Sequence, residues 1–151
     1  MIPATLNDLT QDELQLARMV TRGLTGAEIA KQLGISQCVA RKRLSELYRW
    51  VGVRGREELV TWLFHEQWEL PDEPTYDLPG LTPRERDVAR LLAMGLPVRE
   101  VARRLDVSPV TVVRARCRAL DRLGFRRTME LLCWVWHQTR LQHEAAQRAA
   151  A

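Results

Sequence analysis

"LTPRERDVARLLAMGLPVREVARRLDVSPVTVVRARCRALDRLGF", residues 81–125, decides the fold. Leu81-Thr82-Pro83-Arg84-Glu85 sets a threonine at a helix N-cap, a glutamate three positions later and a proline at the first helical position, a capping box that starts a helix. Val88, Leu91 and Leu92 recur at helical spacing until Gly95 ends the run. A short second helix follows, with Val101, Ala102 and Leu105 turned inward and a small alanine permitting close approach. Asp106-Val107-Ser108 then forms a three-residue turn whose serine caps a third helix. Helix, tight turn and capped helix make a helix-turn-helix, which leaves its last helix protruding.

The same pattern occurs earlier, in "LTQDELQLARMVTRGLTGAEIAKQLGISQCVARKRLSELYRWVGV", residues 9–53. A shift of 72 positions aligns residues 6–65 with 78–137 without a gap, and roughly three in ten of the aligned pairs are identical, which marks an internal repeat. The matches include Leu9/Leu81, Thr10/Thr82, Glu13/Glu85, Gly23/Gly95, Ser36/Ser108, Trp62/Trp134 and His65/His137. Between the copies lies "PDEPTYDLPG", rich in proline and acid, with a reach of about 33 Å when fully extended. The expected fold is all-α: two tandem four-helix helix-turn-helix units joined by a short Pro-rich linker. The first unit covers residues 1–70, the linker 71–80, and the second unit 81–151 with a C-terminal helix extension whose end, "LQHEAAQRAAA", reads as frayed.

Composition narrows the function. The 151 residues are 46% apolar, enough to bury cores. The longest apolar run, "LLCWVW" at 131–136, falls far short of the roughly 20 residues that span a bilayer, and "MIPATLNDLT" lacks a signal pattern. These features describe a soluble, cytoplasmic protein with no membrane partner. Cys38, Cys117 and Cys133 are odd in number and widely spaced, which excludes a disulfide framework or structural zinc site and reads as reduced, buried thiols. Of the three histidines, His65 and His137 sit at equivalent positions near tryptophan on packing helices. With no glycine-rich phosphate loop, paired-carboxylate pocket or nucleophile elbow, the chain reads as a non-enzyme without metal or cofactor.

Charge is divided between the halves. Residues 1–75 hold 9 Lys and Arg against 11 Asp and Glu, whereas residues 76–151 hold 14 against 8, so the basic excess lies in the second half. The third helix of the first copy carries Arg41, Lys42 and Arg43 in one turn with Arg49 further on. That of the second carries Arg114, Arg118 and Arg122 at i, i+4, i+8, with Arg116 beside the stripe. Like charges one turn apart repel by a few tenths of a kcal/mol per pair, a cost that phosphates would remove.

Both copies resemble the LuxR/GerE-type DNA-binding domain of bacterial transcription regulators. The likeness rests on "LTxxE", the Gly-Leu before the second helix, "EIAKQLGIS" and "EVARRLDVS", and then "VGVRGREELV" and "LGFRRTMELL", and it covers roughly residues 6–68 and 78–140. It implies that the third helix reads double-stranded DNA, through Ser36, Gln37, Val39, Arg41, Lys42 and Arg43 in one copy and Ser108, Thr111, Arg114, Arg116, Arg118 and Arg122 in the other. The family's Thr-Val-Lys-x-His segment falls on residues 39–43, where Val39 replaces the threonine and Arg41 keeps a cation. It falls also on 111–115, where Thr111 is kept while Val113 and Ala115 replace lysine and histidine. Family members commonly carry a receiver or small-molecule domain ahead of this unit, and the eight residues before Leu9 hold none. Regulation by abundance or by a partner protein is therefore expected.

The resemblance also implies that the fourth helix pairs protomers. "EELVTWLFHEQW" and "MELLCWVWHQTR" are apolar around most of their circumference, more than one small unit can cover. Trp62, Phe64, Trp134 and Trp136 are the expected interface, closing an intrachain pseudo-dimer or, alternatively, a homodimer. The functional expectation is a DNA-binding transcription regulator with recognition helices at about 36–51 and 108–123. The alternative is a module resembling sigma-factor region 4 that binds RNA polymerase or another transcription factor.

Overall fold

The computed structural model describes residues 5–151; the first four, part of the expected 1–70 unit and of the stretch without a signal pattern, lie outside the described residues. After a 3-10 turn at Leu6–Asp8 the chain forms α1 (Gln11–Thr21), α2 (Gly26–Leu33), α3 (Gln37–Val51) and α4 (Arg56–Trp68), then α5 (Pro83–Ala93), α6 (Val98–Leu105), α7 (Pro109–Leu123) and α8 (Thr128–Ala150). The fold is all-helical, with two successive helix-turn-helix units, and no strand occurs among the described residues.

Side-chain caps fix where helices begin. Glu13 N–H donates to the Thr10 hydroxyl at 3.2 Å while the Glu13 carboxylate accepts from Thr10 N–H at 2.8 Å, and Thr82 with Glu85 repeats the exchange at 3.3 and 3.0 Å. Thr25 and Glu28 form another capping box at the start of α2, where the second unit has Pro97. Ser36 and Ser108 each accept the N–H three residues on, at 3.2 Å, so both third helices start on a serine cap. The turns before them pass through left-handed backbone at Gly34 (φ 66°) and, in the second copy, at Asp106 (φ 53°), one of the few non-glycine residues that adopts it readily.

Each unit has its own core. Leu16, Val20, Ile29, Leu47 and Leu59 centre the first, and Val88, Leu92, Val101, Val112 and Leu131 the second. The connecting segment is less of a spacer than its composition suggests. Leu70 packs in the first core and Pro74 is buried, while Tyr76 and the fully buried Leu78 belong to the second core. Tyr76 meets Trp134 edge-on, ring centroids 5.1 Å apart. Helix α8 continues regularly to Ala150, and its last two turns are exposed.

Helices α4 and α8 pack together within the chain, and the contact is reciprocal. Phe64 and Trp136, which hold equivalent positions in the repeat, stack with centroids 6.3 Å apart, and both are fully buried. Phe64 meets His137 edge-on at 4.9 Å, and His65 meets Trp136 edge-on at 5.0 Å, each the counterpart of the other. One turn later, the guanidinium of Arg140 lies 5.0 Å from the ring of its own counterpart, Trp68. A surface that meets its own equivalent, with paired contacts exchanged, is what a two-fold interface requires; here both halves belong to one chain. Since the contacts advance in the same sense along both helices, α4 and α8 run side by side in one direction. Of the four expected interface aromatics, Phe64 and Trp136 meet here, whereas Trp134 packs on Tyr76 and Phe125 of its own unit and Trp62 lies half-buried against the first core.

The surrounding contacts break the symmetry. Trp136 Nε1–H and the Thr61 hydroxyl both donate to the Ala93 carbonyl, at 2.6 and 3.0 Å. Gly95 lies against the backbone of Glu58, with no such approach at its counterpart Gly23. Met129, Cys133 and Trp136 of α8 enter the first core, so the two cores are bridged from one side. Burial pushes the Cys133 thiol up to about 12, against the opposing influence of the nearby Arg56 cation. His137 is held below the ordinary histidine value, first by burial and then by the Arg140 cation.

Candidate nucleic-acid interface

Helices α3 and α7 are held from one face. Ala40, Leu44, Leu47 and Val51 are buried in α3, and Val112, Ala115, Ala119 and Leu120 in α7, leaving the opposite faces outward. At 100° per residue, the outward positions are 38, 39, 41, 42, 45, 46 and 49 in α3 and 110, 111, 113, 114, 117, 118 and 121 in α7. Each unit thus projects one long helix, anchored by buried alanines and capped by serine, with its N-terminal turn free.

The cations on these faces are unpaired. Among the described residues, Arg41, Lys42, Arg43 and Arg49 of α3 and Arg114 and Arg118 of α7 are exposed and form no ion pair, although other arginines of the chain do. Arg43 also borders a groove with Asp12, Glu13 and Glu46. Ser36 and Ser108 spend their hydroxyls on caps, and Thr111 bonds Ser108 hydroxyl to hydroxyl at 2.9 Å. Gln37 and Val39 are exposed on the first turn of α3.

Two arginines occupy other surroundings. Arg122 bonds the carboxylate of Glu85, a buried side chain that also caps α5, through Nε at 3.1 Å. Arg116, expected beside the stripe of Arg114 and Arg118, is half-buried and lines a cleft of about 420 Å³ between the units, with Arg54, Glu57 and Glu58 of the first. Helical geometry accounts for the difference, because two positions rotate a side chain by 200°, to the other side of the helix.

The cysteines also depart from expectation. Cys133 is buried, but Cys38 and Cys117 are exposed, since both lie on the outward faces of the third helices. Exposed apolar side chains include Val39 and Val110 on the first turns of α3 and α7, Leu141 on α8, and Trp50 at the end of α3, where the second unit has Arg122. No helix among the described residues is long and apolar enough to cross a membrane.

Comparison with known proteins matches this arrangement twice over. The chain is 42% identical over 65 residues, 43% of its length, to the nitrate/nitrite response regulator protein NarL of Escherichia coli strain K12, covering 30% of that protein. It is 47% identical over 51 residues, 34% of its length, to the transcriptional regulatory protein UhpA of Salmonella typhimurium strain LT2, covering 26% of it. The chain therefore corresponds to less than a third of the length of these relatives. No solved structure matches it. Residues 7–63 and 79–135, each one helix-turn-helix unit with the first part of its fourth helix, both match the bacterial regulatory proteins of the luxR family, and the chain belongs to that family.

Proposed function

We propose that the chain is a transcription regulator that binds double-stranded DNA with both units, α3 and α7 each entering a major groove. The observation that carries this reading is the set of unpaired cations on two protruding, serine-capped helices within a family of regulatory proteins. The reciprocal packing of α4 against α8 supports a single-chain pair, with the recognition helices addressing half-sites about one turn of DNA, roughly 34 Å, apart. The two units differ at most outward positions, so the preferred site is asymmetric.

Selection from random duplex DNA with the purified chain tests the proposal, followed by anisotropy at two salt concentrations on the enriched sequence. The expected result is a motif of two unequal half-sites about 10 base pairs apart, bound by one chain, with affinity falling steeply with salt at a log–log slope near −0.9 per phosphate contact. A symmetric site bound by a homodimer would overturn the single-chain pair. Absence of enrichment and of salt-sensitive binding would overturn the DNA reading and favour docking on RNA polymerase or another transcription factor, which a pull-down with polymerase would then examine.

A further inference from the structure

The leading turns of the two recognition helices differ in chemistry, although each carries one exposed valine, Val39 in α3 and Val110 in α7. In α3 the positions that meet a groove first are Gln37, Cys38 and Arg41, all exposed, two of them with free hydrogen-bonding groups. Their counterparts in α7 are Pro109, Val110 and Val113. Val110 is 57% exposed, against 41% for Val39 on the first turn of α3. Thr111, the remaining polar side chain on that turn, is occupied by Ser108. Further along, α3 continues with Lys42 and Ser45, and α7 with Arg114 and the small apolar surface of Cys117. The leading edge of α7 is thus an apolar seam of exposed Val110, half-buried Val113 and exposed Cys117, flanked by Arg114 and Arg118.

In the major groove, a bidentate amide or guanidinium matches purine edges, whereas the apolar feature available is the thymine 5-methyl group. An apolar seam bordered by unpaired arginines suits a groove whose walls are phosphate and whose floor bears methyls; an apolar protein partner would have to cover two bare cations as well.

We propose that the second unit selects its half-site through thymine methyl groups contacted by Val110 and Val113, while the first unit reads hydrogen-bonding purine edges with Gln37 and Arg41. The inference rests on the DNA reading above and gives the composite site a direction: one half is marked by purine acceptors and the other by methyls.

Replacing each thymine of the selected duplex in turn by uracil removes a methyl and nothing else. Binding of the full chain weakens about four-fold for each contacted methyl, within one half-site only. Val110→Ala, a substitution at an exposed position, binds the thymine and uracil duplexes alike at that position. Replacing guanines of the other half by 7-deazaguanine, which lacks the N7 acceptor, weakens the wild-type chain and has no effect on Arg41→Ala. Equal binding of thymine and uracil at every position, with steep salt dependence intact, would overturn the methyl assignment and leave the DNA reading standing. A methyl effect unchanged in both Val110→Ala and Val113→Ala would overturn the assignment to α7. Failure to bind any duplex, even at low salt, would remove both readings.

Discussion

The indole N–H of Trp136 donates to the carbonyl oxygen of Ala93 at 2.6 Å, tying α8 to the end of α5 while the ring itself lies in the core of the other unit. The Ala93 carbonyl, left without an intrahelical partner at the end of α5, accepts from both this indole and the Thr61 hydroxyl. Trp136→Ala is expected to lower unfolding free energy by about 3–5 kcal/mol, and Trp136→Phe by about 1–2 kcal/mol, because phenylalanine keeps most of the apolar surface and the Thr61 hydroxyl still serves Ala93. Urea denaturation followed by circular dichroism measures both; no loss in Trp136→Phe would mean that the hydrogen bond contributes nothing.

Gly23 and Gly95 provide a matched pair. Both have left-handed backbone, φ 80° and 83°, so alanine costs about 1 kcal/mol of strain at either. At Gly95 the added Cβ would also meet Glu58 Cγ at 3.1 Å and its backbone at 3.2 Å, whereas at Gly23 it meets nothing within 4 Å. Gly95→Ala should therefore destabilise by about 2–3 kcal/mol against about 1 for Gly23→Ala, the excess reporting on the contact between units. Denaturation midpoints of the two variants, compared side by side, test it.

Stability should fall as pH drops through the histidine range. Burial and the Arg140 cation lower the His137 pKa in the folded chain, so between that value and the ordinary 6.5 the unfolded chain binds more protons than the folded one. Folding stability is then complete above pH 6.5 and declines as pH falls below it. The unfolding midpoint is expected to decrease between pH 7.5 and 5.5, and His137→Gln to flatten that part of the profile.

The arginines of α7 should divide by role. Arg114→Ala combined with Arg118→Ala is expected to leave the unfolding midpoint unchanged and reduce the salt slope of DNA binding by roughly 2, since neither side chain pairs within the protein. Arg122→Ala should do the opposite. It strips the buried Glu85 carboxylate of a partner, with a cost of about 1–3 kcal/mol in stability and little change in slope. Denaturation and anisotropy on the same variants separate the two effects.

Much of this fold was legible in the sequence because its signals are local. The capping boxes at Thr10 and Thr82 and the serine caps at Ser36 and Ser108 each depend on a few neighbouring residues, and the repeat at an offset of 72 presents these signals twice. The extra capping box at Thr25 was equally readable from Thr25-x-x-Glu28. What was not legible depends on long-range packing. Trp62 and Trp134 are identical in the two copies, whereas the interface forms at Phe64 and Trp136, chosen by how each helix is rotated on its own core. Arg116 lies off the stripe of Arg114 and Arg118 because two positions rotate it to the cleft side of α7, and Cys38 and Cys117 face outward because helix rotation, not residue type, sets their exposure. Glu85 reads as a capping residue from sequence; its second bond, to Arg122 thirty-seven positions on, does not.

The side-by-side seating of α4 on α8 has a consequence for how the molecule responds to its own abundance. Two protomers that must find each other are mostly apart when scarce, and the number of pairs then grows with the square of their number. Here the mates are tethered by a segment of about ten residues, which keeps the local concentration of each around the other fixed, on the order of millimolar, however dilute the solution. In the single-chain pair proposed above, pairing is set at synthesis, the two mates are present in equal numbers, and neither can be exchanged for a copy from another chain without unpacking Trp136.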